Sequence, residues 1–268
     1  MNYEYLYSLN LNSQLNSKVI DLINNDEVNV LCLAEKCMND NFDGLKRVDD
    51  LTILAVIVCC LESMHEKYKE LNIDDKVFFD TISDIKIWCE NNGNKGLKNV
   101  GWIKNHLRCE LFRLGRLQFQ IYKCENKTLN YDLLPFNYGE NLIYIHIPQG
   151  ERLVYADCIN SIKEAIAFFD EHFSNYNFKY FFCESWLLYC DNWLFMESSS
   201  NILQFSTLFD VVYSVDDDRQ AIERIFGKRR IIKSAYPQQT SLQKNAVNFM
   251  KNGGRLGVGI GIINKNDI

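Results

Sequence analysis

In this 268-residue chain, the residues best placed to move a proton lie in a predicted strand, NLIYIHIP at 141–148. Strand alternation sets Leu142, Tyr144 and His146 on one face and Ile143, Ile145 and Ile147 on the other, so His146 as base and Tyr144 as acid can reach one substrate. Histidine titrates near neutral pH, which suits that work. The competing reading is a hydrogen-bonded core histidine. A second predicted strand, FKYFFCESWLLY at 178–189, turns Cys183 and Ser185 to one face and Glu184 to the other, among aromatics. If the two strands lie side by side and parallel, His146 can approach Cys183 or Ser185 and make a nucleophile of either. A buried, inert thiol is the commoner fate of such a cysteine.

Between these strands the loop Pro148-Gln149-Gly150-Glu151-Arg152 leaves a strand end and feeds a helix starting near Ala156. Backbone N–H groups at such a helix start can hold a phosphate, although Glu151 also reads as a solvated loop carboxylate. Arg255, beside the helix cap formed by Thr240 and Ser241, is a second candidate for an anion. The cap explains those two hydroxyls without any ligand. Gly254, Gly257 and Gly259 spell GxxGxG, but they follow a helix and run into a terminal strand, the reverse of a phosphate loop. They read as a turn and a strand in close backbone contact. Arg113 and Arg116, on either side of Gly115, extend to opposite sides of their strand.

The elements that must carry these residues differ along the chain. Four helical patterns, at about 13–24, 26–38, 49–71 and 73–91, point to a helical bundle. The last of them spaces Val77, Phe78, Ile82, Ile85 and Trp88 by threes and fours into one apolar stripe. Gly93, Gly96 and Gly101 mark a break, with a short helix over 102–107. From 111 the period changes to two: LFRLGRLQFQIYK reads as a strand. The strand at 141–148 is followed by an amphipathic helix over 156–173 and the strand at 178–189, a βαβ crossover with parallel strands. Strand 204–214, helix 217–226, strand 229–233, helix 240–251 and strand 255–263 complete a mixed α/β half. The expected class is α+β, a helical bundle at 1–110 followed by a mixed sheet with flanking helices at 111–268, the seam lying within about 92–111.

Composition narrows the function. Hydrophobic residues at 47% and charged residues at 24% are those of a globular protein with a real core. The longest apolar run, Leu51 to Leu61, is far shorter than the roughly 20 residues a membrane span needs, and the N-terminal residues carry no leader pattern. A cytoplasmic protein without a membrane partner is expected. The ten cysteines are scattered and contain no CxxC, which argues for reduced thiols and against a metal site. A net charge of −6 argues against a nucleic-acid partner. That average hides a gradient: residues 125–218 carry 15 acids against four bases, whereas 219–268 carry ten bases against Glu223 and Asp267. A basic face packing near the acidic stretch, or an anion site, would account for it.

Read in order, GWIKNHLRCELFRLGRLQF (101–119), IHIPQG (145–150), FFCESWLL (181–188), SNILQF (200–205), YPQQTSLQ (236–243) and NGGR (252–255) carry a resemblance. The chain resembles the GNAT-like acyltransferase-domain proteins of bacteria, in which a helical N-acyltransferase N-terminal domain precedes a GNAT-like C-terminal domain. The resemblance implies a GNAT-like sheet in the second half and transfer of an acyl group from acyl-CoA, acetyl-CoA by default, to an amine or other nucleophile of a small-molecule or peptide acceptor. It also implies CoA-phosphate contacts from Gln149, Gly150, Glu151 and Arg152, with Arg255 as a further phosphate ligand. Catalysis would fall to His146 and Tyr144, or to Cys183 and Ser185. The loop offers one glycine where ordinary GNAT enzymes carry an R/Q-x-x-G-x-G/A string. A non-catalytic ligand- or partner-binding module of the same fold, and a thiol enzyme using Cys183, are therefore carried beside the acyltransferase, and a homo-oligomer is left open.

Overall fold

The computed structural model of the protein describes residues 3–40 and 42–268. Helices come first: α1 (Glu4–Ser8), α2 (Ser13–Asn25), α3 (Glu27–Asp40), α4 (Asp50–Glu70), α5 (Asp75–Ile82), α6 (Asp84–Asn91) and α7 (Val100–Leu107). Strands β1 (Leu111–Leu114), β2 (Leu117–Lys123) and β3 (Asn141–His146) lead to helix α8 (Tyr155–His172) and strand β4 (Tyr180–Ser185). Then follow α9 (Asn201–Ser206), β5 (Asp210–Val215), α10 (Arg219–Phe226), α11 (Ser241–Lys251) and β6 (Val258–Asn264). The six strands form one mixed sheet in the order β1-β2-β3-β4-β6-β5.

The chain divides into two compact units. The first comprises the described residues up to Gln120, with Ile147–Gly150 and Asp170–His172; the second comprises Ile121–His146, Glu151–Phe169 and Phe173–Ile268. In the first unit α4 is the hub. Asp49 caps it by accepting from the Leu51 and Thr52 amides, and its first half is buried on all sides from Ile53 to Val58. The second half keeps one buried stripe, Met64, His65 and Tyr68, in line with its more polar sequence. Tyr68 meets Phe78 of α5 and Phe112 of β1 at ring-centroid distances of 5.4 and 5.6 Å, which ties the hairpin to the helices.

Several expectations are corrected. The stripe over 73–91 belongs to two helices, because Ser83 lies between them and its hydroxyl donates to the Asp80 carbonyl at 2.6 Å. The alternation from 111 belongs to two strands: Gly115, at φ 60°, turns the chain so that Arg113 faces Gln118 across an antiparallel hairpin. The first part of 204–214 is helical, since Ser200 caps α9 by accepting from the Ile202 amide at 3.2 Å. Residues 229–233 form an exposed loop without a strand partner, despite their β-branched pair.

In the second unit, one core gathers Cys124, Leu129, Phe136, Leu142, Tyr180, Phe182, Ile260 and Ile262 about the sheet. A second lies between α10 and α11, around Ile222, Phe226, Val247 and Met250. The capping box at Thr240 and Gln243 starts α11, as the sequence predicts. Gly259 lies inside β6, and a Cβ there would come within 2.0 Å of the Leu188 carbonyl oxygen. That close approach lets the 3-10 turn at Trp186–Leu188 lie directly on the strand. Gly254 and Gly257 precede β6 in its approach turn, so the GxxGxG string is the turn and close-contact strand the sequence suggests.

Candidate functional site

Strands β3 and β4 run parallel and pair at Ile143–Phe181 and Tyr144–Phe182. Partners across a parallel ladder point to the same face. Tyr144 therefore shares a face with Phe182, and their rings meet edge to face at 5.0 Å. Two residues further along each strand, alternation returns His146 and Glu184 to the face of Tyr144 and Phe182. Cys183 and Ser185 take the opposite face, so the pairing does not bring His146 to either of them. The common face of Glu184, Tyr144 and His146 is what sequence reasoning missed. Alternation gives the faces of each strand, but only register says which faces coincide.

The site face is aromatic. Tyr122 lies edge-on to Tyr144 at 5.3 Å and stacks on Phe182 at 6.1 Å, and the His146 ring stacks on Tyr144 at 4.2 Å with 20° between planes. The Tyr144 hydroxyl donates to the Glu184 main-chain oxygen at 3.4 Å. Beneath them the Tyr176 hydroxyl donates to the carbonyls of Tyr122 and Leu142 at 2.9 and 3.0 Å, fixing β2 against β3. Burial pushes the Tyr176 phenol up to about 12, and burial, then Cys183 and Glu184, raises Tyr144 well above the usual phenol. Both stay neutral donors.

Glu184 is half-buried, and no side-chain donor reaches its carboxylate among the described residues. Burial raises its carboxyl, with the Asp217 charge as a second cause. A carboxylate so placed takes up a proton more readily than a free one. On the far face, burial and then Glu184 push the Cys183 thiol up, keeping it protonated, and the Ser185 hydroxyl accepts from the Leu187 amide at 3.2 Å to start the 3-10 turn. These two hold the fold at the end of β4.

The loop after β3 is fixed at its start and open at its end. Arg116, only 7% exposed, donates through Nη1 to the Pro148 carbonyl at 3.1 Å. Gln149 accepts from Asn91 at 3.1 Å, and Gly150 takes φ 118°, a conformation open to glycine. Glu151 and Arg152 are exposed. Helix α8 begins after Val154 with no side-chain cap, so its first amides are not occupied by a capping oxygen. Arg255 lies elsewhere, paired with Asp216 at 3.0 Å. Arg219 pairs with Asp217 at 2.5 Å and Arg229 with Asp218, so the basic final segment meets the acidic one through three consecutive aspartates. Arg113 donates through Nη1 to the Ser83 hydroxyl at 3.4 Å. No group of three or more His, Cys, Asp or Glu side chains suited to a metal occurs among the described residues.

The family model described as N-acyltransferase N-terminal domain matches residues 6–109, and that described as GNAT-like C-terminal domain matches residues 111–263. Among solved structures, the chain is similar to an acyltransferase in complex with decanoyl-CoA and teicoplanin. The two are 20% identical, over 97% of this chain and 86% of that one, at a TM-score of 0.79. Complexes of an acyltransferase with CoA and 10C-teicoplanin and with decanoyl-CoA align over the same shares, at 20% and 19% identity and TM-scores of 0.79 and 0.77. No curated protein matches the sequence.

Proposed function

The chain belongs to the family that joins an N-acyltransferase N-terminal domain to a GNAT-like C-terminal domain, and from that premise we propose that it transfers an acyl group from acyl-CoA to an amine of a small molecule or peptide. The observation that carries this reading is the face shared by Tyr144, His146 and Glu184 at the ends of two parallel strands. The acyl-CoA complexes of the similar acyltransferases support the donor, and the complex with teicoplanin supports a small-molecule or peptide acceptor. Functionally, residues 1–110 act as the helical N-terminal domain and residues 111–268 as the GNAT-like domain.

In this mechanism the uncapped amides at the start of α8, with Arg152, hold the CoA phosphates, where the helix dipole favours negative charge. Gln149, Gly150 and Glu151 shape the loop that leads there. Arg255 has its own partner in Asp216 and takes no phosphate in this reading. His146 accepts the proton as the acceptor nitrogen attacks the thioester carbon. A C–N bond forms, the C–S bond breaks, and the proton passes to the departing CoA sulfur. Tyr144 supports the imidazole by stacking, and Glu184 adds a carboxylate on the same face of the paired strands. Positioning of the two reactants contributes about 7–11 kcal/mol and the base about 10²- to 10⁴-fold. Cys183 and Ser185 form no covalent intermediate in this reading. Ten cysteines without a disulfide suit a reducing cytoplasm, and a bacterial source belongs to the same proposal.

The test has two arms. Acetyl-CoA and longer acyl-CoAs should raise the unfolding temperature of the full chain. His146→Ala should keep that shift and lose about 10²- to 10⁴-fold in kcat toward amine acceptors. Absence of any shift with every acyl-CoA would leave the non-catalytic module as the better reading.

A further inference from the structure

The loop between α10 and α11 is exposed without interruption over residues 227–235. At its centre Ile231 is 103% exposed and Ile232 is 65% exposed. Single exposed apolar side chains are ordinary on a protein surface. Two adjacent isoleucines, one as open as in an extended peptide, inside the sequence Lys228-Arg229-Arg230-Ile231-Ile232-Lys233, are not. The loop is held at its base: Tyr236 packs on Phe226 at 4.4 Å, and its hydroxyl accepts from the Arg230 amide at 3.0 Å. Arg229 pairs with Asp218 and the Lys233 ammonium donates to the Met250 carbonyl at 2.5 Å. Lys228 and Arg230 have no ion-pair partner among the described residues.

We propose that this loop is a membrane-contact element that seats Ile231 and Ile232 in the interface of an anionic bilayer, with Lys228 and Arg230 at the level of the lipid phosphates. The chemistry favours lipid over other polyanions. The apex offers hydrocarbon, which a bilayer interface accepts and a nucleic acid does not. It also lacks the aromatic rings on which bases stack. Basic residues on long stems beside short apolar ones match the layering of headgroup and acyl chain. The charge gradient agrees, because residues 219–268 carry ten bases against two acids although the whole chain is at −6. No helix among the described residues is long and apolar enough to cross a membrane. A surface contact needs none. The proposal stands independently of acyl transfer.

The full chain would be sedimented with vesicles of phosphatidylcholine alone and with vesicles containing about one quarter phosphatidylglycerol. Binding to the anionic vesicles is expected, weakening with salt, and Ile231→Asp/Ile232→Asp should lower the partition coefficient at least about tenfold. Lys228→Glu/Arg230→Glu should lower it by roughly fivefold or more per residue. In case the aspartate variant fails to fold, Ile231→Trp gives a second readout, since its added emission should shift to the blue when anionic vesicles are added. Absence of binding to either vesicle, binding unchanged by the aspartate pair, or an equal affinity for soluble heparin that the aspartate pair leaves intact would overturn the proposal.

Discussion

Two carboxylates, one in each unit, show how the donors around an acid set its titration. Asp84, 3% exposed at the start of α6, receives Trp88 Nε1 at 3.0 Å and Trp102 Nε1 at 2.6 Å, with His106 Nε2 at 3.2 Å. The histidine contact is close but not an aligned hydrogen bond, because His106 Nε2 has no well-directed hydrogen-bond partner. Burial pushes the Asp84 carboxyl up, yet His106, Trp102 and Trp88 together outweigh it and hold the group below the usual range. Glu184 is buried less and supplied with none of this, so its carboxyl moves the other way. Burial alone does not decide a carboxylate's use; the donors around it do.

The largest test of this contrast removes Asp84. Asp84→Ala leaves two indole donors without their acceptor and His106 without its carboxylate, and should cost about 3–5 kcal/mol in chemical unfolding; a cost under about 1 kcal/mol would dissolve the distinction. The pH dependence carries the same signature. The contribution of Asp84 is complete above the unfolded carboxyl value of about 4 and is lost as pH falls through its depressed folded value. For Glu184 the sign reverses: its contribution is complete below about 4.3 and is lost as pH rises through the raised folded value. Glu184→Gln should therefore be more stable than the parent at neutral pH while losing about tenfold or more in kcat/KM. A variant that is less stable and fully active would place Glu184 with Asp84 among the structural acids. The smallest effect belongs to Asp217, held down at about 2 by Arg219. Asp217→Asn should cost well under 1 kcal/mol, because the pair is largely exposed. Removing its charge should also lower the raised Glu184 carboxyl, which an NMR titration would read.

The helices were legible because their apolar residues recur at three to four and their caps are spelled out, as at Asp49 and Thr240. Strand faces were legible too, including the one that joins Tyr144 to His146. Neighbours were not. A turn of two residues hid inside the alternation of 111–123, and the serine cap of α9 lay inside an apparent strand. Ile231 and Ile232 have strand propensity, but no sheet edge receives them. The same gap shaped the site. His146 stands out by type and position, whereas the face that Glu184 shares with Tyr144 follows only once the pairing of the strands is known.

Gly259, argued above as the place where a turn lies against β6, pairs with Ser185 in the antiparallel ladder. It thus backs the residue after Glu184 from the face that carries no site side chain. The close seating of the turn rests on something missing, a side-chain carbon where glycine has only hydrogen. A single methyl group added there would lift the turn and tilt the end of β4. The position that most constrains this end of the sheet would then be one with no side chain at all.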